Sequence, residues 1–445
     1  MSTRSKTGYD TIILNFTSNR EDWTKFPVIE SGDGCYVTDA TGKVYLDGLA
    51  GLFTTQVGHG RRELADVAAA QIRQLEFYPT WGLHHPRSLE LSSRLAELAP
   101  GSLACSFFVS SGSEAVESML KMVRQYHIAH GQPDRYKFIA RDIAYHGTTF
   151  GALGLTGLPI LKDPFQPMLP WFLHVPNTNQ DPDGAADAIR AAIEAGPPQA
   201  VAAVVLEPVQ NGGGCLVPPE DYWPQVREIC DEYGVLLVAD STICAFGRVG
   251  SWFGTERFGA EPDIITFAKG LTSGYIPMGG VIVSDRVREA LDSQSMYLHG
   301  ATFGGHPVAA AVALTNIAII EREGLIDNVL ALENVFGDAL RQMAESHPIV
   351  IDVRGIGFFW AIELQPAWPD GRPLSEEDYR RYFKDDLYHR LVDLGLLCRF
   401  DDRDSPVIQL APALIADADV LARIVDIVAV AVSDLERALG YASSP

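Results

Sequence analysis

The stretch DIITFAKGLTSGYIPMGG, residues 263–280, places a lysine at the end of an apolar run. Residues 263–268 are rich in Ile, Thr and Phe and are closed by Gly270, a pattern that predicts a short buried strand. Lysine is rarely fully buried, because removing an unpaired ammonium group from water is costly. Lys269 is therefore either a side chain that reaches back to solvent or a lysine kept reactive for covalent chemistry.

Short apolar runs alternate with helical patterns on both sides of this stretch, from residue 66 to residue 325. Such alternation predicts an α/β fold with a mostly parallel central sheet covered by helices. The helical patterns include 113–130 and 219–233. The predicted strands are 105–109, 137–140, 202–206, 235–239, 264–268 and 279–283.

The two ends of the chain follow other patterns. Residues 1–65 contain one hairpin pattern, with its turn at Thr41-Gly42, and a long helical stretch covers 305–347. Beyond it come a strand–turn–strand pattern at 349–364, a helix at 374–394, strands in GLLCRF and PVIQLAP, and a closing helix from Ala416. We expect a large domain at 66–325 and a smaller α+β domain at 326–445, to which the segment 1–65 contributes.

Charge and composition disfavour several classes of partner. The 445 residues include 57 acidic and 35 basic side chains, for a formal net charge of −22. This charge repels nucleic acids and anionic lipid surfaces.

The N-terminus lacks the apolar core of a secretory signal, and no apolar segment approaches the ~20 residues of a membrane span. The six cysteines form no CxxC pair and the histidines no HExxH motif, so we expect a cytoplasmic protein without a metal site.

A candidate anion site lies in FFVSSGSEAVESMLKM, residues 107–122. The predicted strand ends at Val109 and a helix follows, so Ser111, Gly112 and Ser113 fall in the turn between them. Free backbone N–H groups at a helix N-terminus, with hydroxyl donors and a glycine, suit a phosphate group. An ordinary helix cap accounts for these residues equally well.

Two acids stand at the ends of other predicted strands. Asp240 closes the apolar run of GVLLVADSTICAFGRVG (234–250), and Glu207 closes that of AVVLEPVQNGGG (203–214). In α/β sheets the carboxyl ends of the strands open onto the ligand crevice. A carboxylate in that position needs a cation or a strong donor, although a loop-capping role for Asp240 stays open.

An aromatic residue and a histidine complete the set. Tyr145 and His146 follow a strand in RDIAYHGTTFGALGLTG, residues 141–157. A tyrosine there can stack on a flat ligand or simply pack. Together the strand ends offer an amine, an acid, an anion loop and an aromatic ring, which are the groups that pyridoxal 5′-phosphate (PLP) requires.

The chain resembles the class III aminotransferases of PLP fold type I over nearly its whole length. The segments that carry the resemblance occur in the family's order. They are SSGSEAVES (110–118), AYHGTTFGALGLTG (144–157), LEPVQNGGG (206–214), ADSTICAFGRVGSWFG (239–254), PDIITFAKGLTSGYIPMGGVIVS (262–284), HGATFGGHPVAAA (299–311) and GLLCRF (395–400).

The resemblance implies a role for each candidate residue. Lys269 would bind PLP covalently and Asp240 would pair with its pyridinium nitrogen. Ser111, Gly112 and Ser113 would hold the phosphate, joined by Thr302 of a neighbouring subunit, so that a homodimer or homotetramer shares its sites. The other residues expected to contact the cofactor are Tyr145, which stacks on the ring, His146, Glu207 and Thr242. Those expected to contact the substrate are Arg399, which receives a carboxylate, Phe53, Trp81 and Tyr145.

The chain departs from the family pattern around the substrate. The family usually has Asp-Glu-Val where this chain has Asp240-Ser241-Thr242, which places Thr242 under the ring. Ornithine-type members tend to carry a glutamate that neutralises the carboxylate-binding arginine, and that position here is Gly212. We therefore expect Arg399 to lack the acidic gate of those members and to move aside when the substrate has no carboxylate. Ile243, Asn211 and Ala301 also differ from subgroup patterns and leave the natural donor open.

These residues predict an ω-transaminase that takes an amino group from a primary amine or ω-amino acid and gives it to a 2-oxo acid, with pyruvate expected. Two alternatives remain. The same scaffold supports decarboxylation or intramolecular amino transfer, and the chain would then be a decarboxylase or an aminomutase. A non-catalytic PLP-fold binding protein would not need both Lys269 and Asp240.

Overall fold

The computed structural model describes residue 8 and residues 11–17, 22–401, 403 and 405–441. The strands are β1 (Ile29–Asp33), β2 (Tyr36–Asp39), β3 (Val44–Asp47), β4 (Leu103–Val109), β5 (Lys137–Arg141), β6 (Phe172–Val175), β7 (Val201–Leu206), β8 (Leu236–Asp240), β9 (Ile264–Phe267), β10 (Gly279–Ser284), β11 (Val350–Ile356), β12 (Phe359–Leu364), β13 (Leu396–Leu397), β14 (Arg399–Asp401) and β15 (Val407–Leu410).

The helices surround and connect these strands. They are α1 (Ala50–Phe53), α2 (Arg62–Gln74), α3 (Pro86–Leu98), α4 (Gly112–Ala129), α5 (Phe150–Leu155), α6 (Pro159–Lys162), α7 (Ala185–Glu194), α8 (Tyr222–Tyr233), α9 (Asp285–Asp292), α10 (Pro307–Arg322), α11 (Leu325–Glu345), α12 (Glu376–Tyr379), α13 (Tyr388–Asp393) and α14 (Ala418–Leu439). A π-helical segment, Arg380–Leu387, joins α12 to α13. Short 3₁₀ turns occur at Trp23–Lys25, Asp163–Phe165, Pro198–Ala200, Thr255–Phe258 and Lys269–Leu271.

The central sheet has the strand order β4-β10-β9-β8-β7-β5-β6. Strand β10 is antiparallel to both of its neighbours, β4 and β9, whereas the other pairs are parallel. The prediction of an α/β fold with a mostly parallel sheet is confirmed. Strand β6 was not predicted, because FLHV is short and lies at the sheet edge, where it is only partly buried.

The inner strands of this sheet are covered on both faces. Every residue of β7 and β8 is buried, as expected for parallel strands between two helix layers. Helix α4 lays its buried residues Ala115, Met119 and Met122 against one face. The carboxyl ends of β5, β7, β8 and β9 therefore open at one edge of the sheet, where the predicted site residues follow.

Two smaller sheets flank the central one, with the orders β1-β2-β3-β13 and β11-β12-β15-β14. The predicted hairpin is confirmed as β2 and β3, and β3 also pairs in parallel with β13. This pairing brings residues from the two ends of the chain into one sheet. Strand β1 was not predicted, because IESGD has no alternating apolar pattern and is largely exposed. The domain limits at residues 65 and 325 stay a prediction.

Two predicted helix boundaries were wrong. The stretch 305–347 is two helices, α10 and α11, separated by Gly324 in the left-handed conformation at φ +61°. The helix predicted from Pro219 begins at Tyr222, because Pro219 accepts a turn hydrogen bond from the Tyr222 N–H at 3.1 Å instead. Among the described residues, no helix is both long and apolar enough to cross a membrane.

Candidate active site

Asp240, the last residue of β8, lies at the bottom of the crevice and is only 4% exposed. Its Oδ2 lies 2.8 Å from His146 Nδ1. Its Oδ1 accepts hydrogen bonds from the Thr266 hydroxyl at 2.9 Å and the Thr242 backbone N–H at 3.2 Å. Thr266 is opposite Asp240 in the β8–β9 register, so the strand pairing places the Thr266 hydroxyl beside the carboxylate. The sequence had not singled out Thr266.

The surroundings of Asp240 keep its carboxylate ionised. Burial raises the pKa of Asp240. The hydrogen bond and the charge of His146, together with the hydrogen bonds of Thr242 and Thr266, have the larger and opposite effect, so the pKa of Asp240 lies below its usual value. The sheet edge therefore holds a buried negative charge.

Lys269 follows β9 and begins the 3₁₀ turn Lys269–Leu271. Its φ of +40° is in the left-handed region, which side chains other than glycine rarely adopt. Burial lowers the pKa of Lys269; Asp240 and Glu207 oppose this effect, whereas Arg399 reinforces it. The charges of two carboxylates and one guanidinium therefore act on the Lys269 amine.

The turn before α4 is rich in hydrogen-bonding groups. Ser111 is the N-cap residue, and its hydroxyl accepts the Glu114 N–H at 3.2 Å. Ser113 Oγ accepts the Thr148 N–H at 3.2 Å, which joins this turn to the loop after Tyr145. A Cβ at Gly112 would lie 2.9 Å from Thr242 Cγ2, so only glycine fits there. The helix cap is thus observed, and phosphate binding at this turn stays a prediction that is compatible with it, since a capped helix still offers free N–H groups to an anion.

Glu207 fixes the two loops that flank the crevice. Its Oε1 accepts the Tyr145 N–H at 3.2 Å, and its Oε2 accepts the Asn211 N–H at 3.0 Å. Gln409 on β15 then donates to the Asn211 carbonyl oxygen at 2.9 Å. Burial raises the pKa of Glu207. These contacts give Glu207 a positioning role for Tyr145 and Asn211.

Arg399 lies on β14 with its side chain 28% exposed, and its Nη2 is 3.5 Å from Asp401 Oδ2. Asp401 also binds Arg403, through the Arg403 backbone N–H at 3.1 Å and Nε at 2.7 Å, and through Nη2. The Arg403 guanidinium carbon is 5.9 Å from the centre of the Tyr145 ring. The sequence analysis missed Asp401 and Arg403, although alternate residues of a strand share one face.

Arg399 has an acidic neighbour at a position that the sequence analysis did not consider. Gly212 itself carries no acid, and a Cβ there would overlap the Ile143 carbonyl oxygen, so no side chain fits this backbone. Asp401 supplies the carboxylate instead, from the same strand as Arg399.

Three further predicted residues, Phe53, Trp81 and Thr302, lie on other segments of the chain. Phe53 is 1% exposed, and its ring packs edge-on against Phe359 with centroids 5.5 Å apart. Trp81 is 68% exposed and lies against Gly300, and Thr302 is exposed nearby in the chain.

The residues present fit PLP. The crevice contains an amine with a lowered pKa, an ionised carboxylate, a helix N-terminus and an aromatic ring, which match the aldehyde, ring nitrogen, phosphate and ring face of that cofactor. Three buried polar atoms around it have no hydrogen-bond partner within the protein. They are His146 Nε2, Ser241 Oγ and Thr242 Oγ1.

Comparison with known proteins gives a consistent result. The family model for class-III aminotransferases matches residues 17–432. A probable aminotransferase of Mycobacterium tuberculosis is 48% identical, over 90% of each chain. The putrescine–pyruvate aminotransferase of Pseudomonas aeruginosa is 38% identical, over 84% of this chain and 81% of the relative.

Solved structures agree. A transaminase from the marine bacterium Virgibacillus superposes with a TM-score of 0.92 at 38% identity, covering 96% of this chain and 98% of that one. An ω-transaminase from Pseudomonas jessenii, in complex with PMP, has a TM-score of 0.90 at 33% identity, covering 96% and 97%. The fold, the residues of the crevice and these matches show that the chain belongs to the class III aminotransferases, which are PLP-dependent enzymes.

Proposed function

We propose that this aminotransferase moves an amino group from a primary amine or ω-amino acid to pyruvate. The observation that carries the proposal is Arg399, a guanidinium on β14 that is 28% exposed and whose charge lowers the pKa of Lys269. Such a group can receive a substrate carboxylate through paired hydrogen bonds. Two similar proteins named for pyruvate, the putrescine enzyme above and a hypotaurine/taurine–pyruvate aminotransferase of Paracoccus denitrificans, support the choice of acceptor.

PLP, when bound, supplies an electron sink that stabilises negative charge on the carbon carrying the amino group. Lys269 would supply the amine that holds the cofactor and the base that moves the donor's proton. Burial lowers the pKa of Lys269, which raises the fraction of neutral amine available for both tasks.

Asp240 keeps a fixed negative charge for the ring nitrogen, held by His146, Thr266 and Thr242. The N-terminus of α4, with Ser111, Gly112 and Ser113, holds the phosphate. Donors fixed in this way can stabilise charge on the cofactor.

We propose that the enzyme works as a homodimer in which Thr302 and Trp81 serve the neighbouring subunit. The segment around Trp81 packs on the Thr302 loop, since Thr80 Oγ1 donates to the Gly304 carbonyl at 3.2 Å and the rings of Phe77 and Phe303 are 5.4 Å apart. This surface exposes apolar side chains, as interfaces do. They include Tyr78, Trp81, Leu298 and Phe303. Sedimentation should give a dimer or tetramer, and an active monomer would contradict the shared site.

Two separated half-reactions test the proposed function. Purified PLP-loaded enzyme is mixed in single turnover with a diamine, an ω-amino acid or a benzylic amine, and the loss of cofactor absorbance is followed. After removal of excess donor, pyruvate is added, and we expect absorbance to return with one alanine formed per site. Carbon dioxide released from an amino acid, without amino transfer, would instead indicate a decarboxylase. An isomeric amino acid formed without any acceptor would indicate an aminomutase.

A further inference from the structure

Asn316 lies on α10 and is 0% exposed. The structure describes every residue of α10, and Asn316 is the one buried residue among them with a polar side chain. A buried amide is costly unless its donors and its acceptor are paired. The hydrogen bonds of Asn316 therefore account for its presence in an otherwise apolar buried face.

The side chain of Asn316 holds the turn that begins at Lys269. Its Nδ2 donates hydrogen bonds to the carbonyl oxygens of Gly270, at 2.9 Å, and Leu271, at 3.0 Å. Its Oδ1 accepts a hydrogen bond from the Ser273 hydroxyl at 2.6 Å. Carbonyl oxygens only accept hydrogen bonds, so the two carbonyls determine which end of the amide faces them. These contacts fasten the residues that directly follow Lys269 to α10.

The turn has a backbone conformation that needs such support. Lys269 has φ +40° and Ser273 has φ +49°, both in the left-handed region that residues other than glycine rarely adopt. Backbone strain of this kind persists only where the surrounding structure holds it. The Ser273 hydroxyl, which donates to Asn316, also accepts the Val57 N–H at 3.2 Å. The strained turn is thus fastened both to α10 and to the segment between α1 and α2.

We propose that Asn316 is a positioning residue that holds this turn so that the Lys269 amine keeps the position its chemistry requires. Without Asn316, we expect Lys269 to relax towards negative φ, which changes the direction in which its side chain leaves the backbone. A base must lie within hydrogen-bond reach of the proton that it takes, and a displacement of about 1 Å can lower a rate about 10²-fold. This inference rests on the proposed role of Lys269.

The first test measures the donor half-reaction of the PLP-loaded enzyme in single turnover, with the diamine, ω-amino acid or benzylic amine that the wild-type enzyme uses fastest. Asn316→Ala removes all three hydrogen bonds. We expect its rate at saturating donor to fall about 10–100-fold, while the donor concentration that gives half of this rate changes less than about threefold. The rate is expressed per site that holds PLP, so loss of folded protein does not lower it.

A second readout needs no amine donor. Borohydride reduction attaches bound PLP permanently to the lysine that holds it, and mass spectrometry then gives the fraction of bound PLP recovered on the Lys269 peptide. We expect this labelled fraction to be lower in Asn316→Ala than in the wild-type enzyme, because the amine is displaced while the phosphate site at the N-terminus of α4 is unchanged.

Asn328→Ala is a matched control. Asn328 on α11 also donates from its Nδ2 to two backbone carbonyl oxygens, those of Leu414 at 2.8 Å and Ala416 at 3.0 Å. This variant removes the same kind of contact from a helix to a loop, but not at the Lys269 turn. Its rate per loaded site and its labelled fraction should equal those of the wild-type enzyme.

Ser273→Ala is a milder variant that serves if Asn316→Ala does not fold. It leaves both Nδ2 contacts of Asn316 in place and removes one hydrogen bond to its Oδ1. We expect the rate per loaded site to fall about threefold, which corresponds to one modest hydrogen bond. An unchanged rate in this variant would then overturn the proposal.

The outcomes separate this inference from the function on which it rests. If the wild-type enzyme reacts with none of the three donors, the proposed function is wrong, and the labelled fraction still tests Asn316. If the wild-type enzyme reacts but Asn316→Ala keeps the wild-type rate or the wild-type labelled fraction, the positioning role is overturned. It is also overturned if Asn328→Ala lowers the rate as much as Asn316→Ala does.

Discussion

The two halves of the crevice are built differently. In the cofactor half, Asp240 is almost fully buried and three contacts of 2.8–3.2 Å fix it to strand ends. In the half where we propose that a substrate carboxylate binds, the carboxylate half, Arg399 is 28% exposed and its Nη2 lies 3.5 Å from Asp401 Oδ2. We therefore expect the cofactor chemistry to depend on a buried, hydrogen-bonded group and substrate recognition to depend on a more exposed one. Mutations in the two halves should therefore fail in different ways.

The largest effect is expected in the cofactor half, at Lys269. Lys269→Ala removes the group that both attaches the cofactor and moves the proton, so kcat should fall by about 10³-fold or more. The measurement is steady-state alanine formation from pyruvate. Lys25→Ala, which changes an exposed lysine, is the control and should keep full activity. An active Lys269→Ala enzyme would place the reactive amine elsewhere.

The next effect is at Asp240. Asp240→Asn keeps the shape of the side chain but removes its charge, so kcat should fall by about 10²–10³-fold, the usual cost of losing a charge partner of the transition state. PLP should still bind, as measured by its absorbance after gel filtration. Turnover within a few-fold of wild type would mean that the ring nitrogen has no need of this carboxylate.

Arg399→Ala tests whether Arg399 serves substrate recognition without affecting the cofactor chemistry. With pyruvate, kcat/KM should fall by about 10–100-fold, since a hydrogen bond to a charged group contributes about 1.5–3 kcal/mol. With a benzylic amine, which has no carboxylate, the single-turnover rate should change only a few-fold. Equal losses with both substrates would show that Arg399 is structural and would remove the distinction between the two halves.

The smallest effect is expected at Thr266, a hydroxyl that supports Asp240 from the neighbouring strand. Thr266→Val removes one of the interactions that lower the pKa of Asp240, so that pKa should rise. Asp240 must be ionised to act, and activity is lost as the pH falls through its pKa. The acidic limb of the kcat/KM profile should therefore move to higher pH, with a cost near neutral pH of about fivefold at most. An acidic limb at unchanged pH would contradict the role of Thr266 in lowering the pKa of Asp240.

The sequence predicted the cofactor half better than the carboxylate half for a physical reason. Asp240 and Lys269 end apolar runs, and parallel strands bring their carboxyl ends together, so local patterns indicated a shared crevice. The alternate spacing of Arg399 and Asp401 could have indicated that they share a strand face. The close approach of Gly212 to the Ile143 carbonyl oxygen arises from tertiary packing, and no periodic pattern in the sequence indicates it.

The same distinction holds for the fold. The buried strands β7, β8 and β9 were predicted within one or two residues because their apolar runs are continuous. The exposed strand β1 and the edge strand β6 were missed, because pairing with neighbours rather than composition makes them strands.

Covalent mapping of the cofactor tests the central claim most directly, namely that the lysine at the end of β9 carries the chemistry of this enzyme. The holoenzyme is reduced with borohydride, digested and analysed by mass spectrometry for the peptide that bears the cofactor. We predict a single labelled peptide containing Lys269, and loss of that label after prior treatment with an amine donor. Label on any other lysine, or label that an amine donor does not remove, would contradict the account.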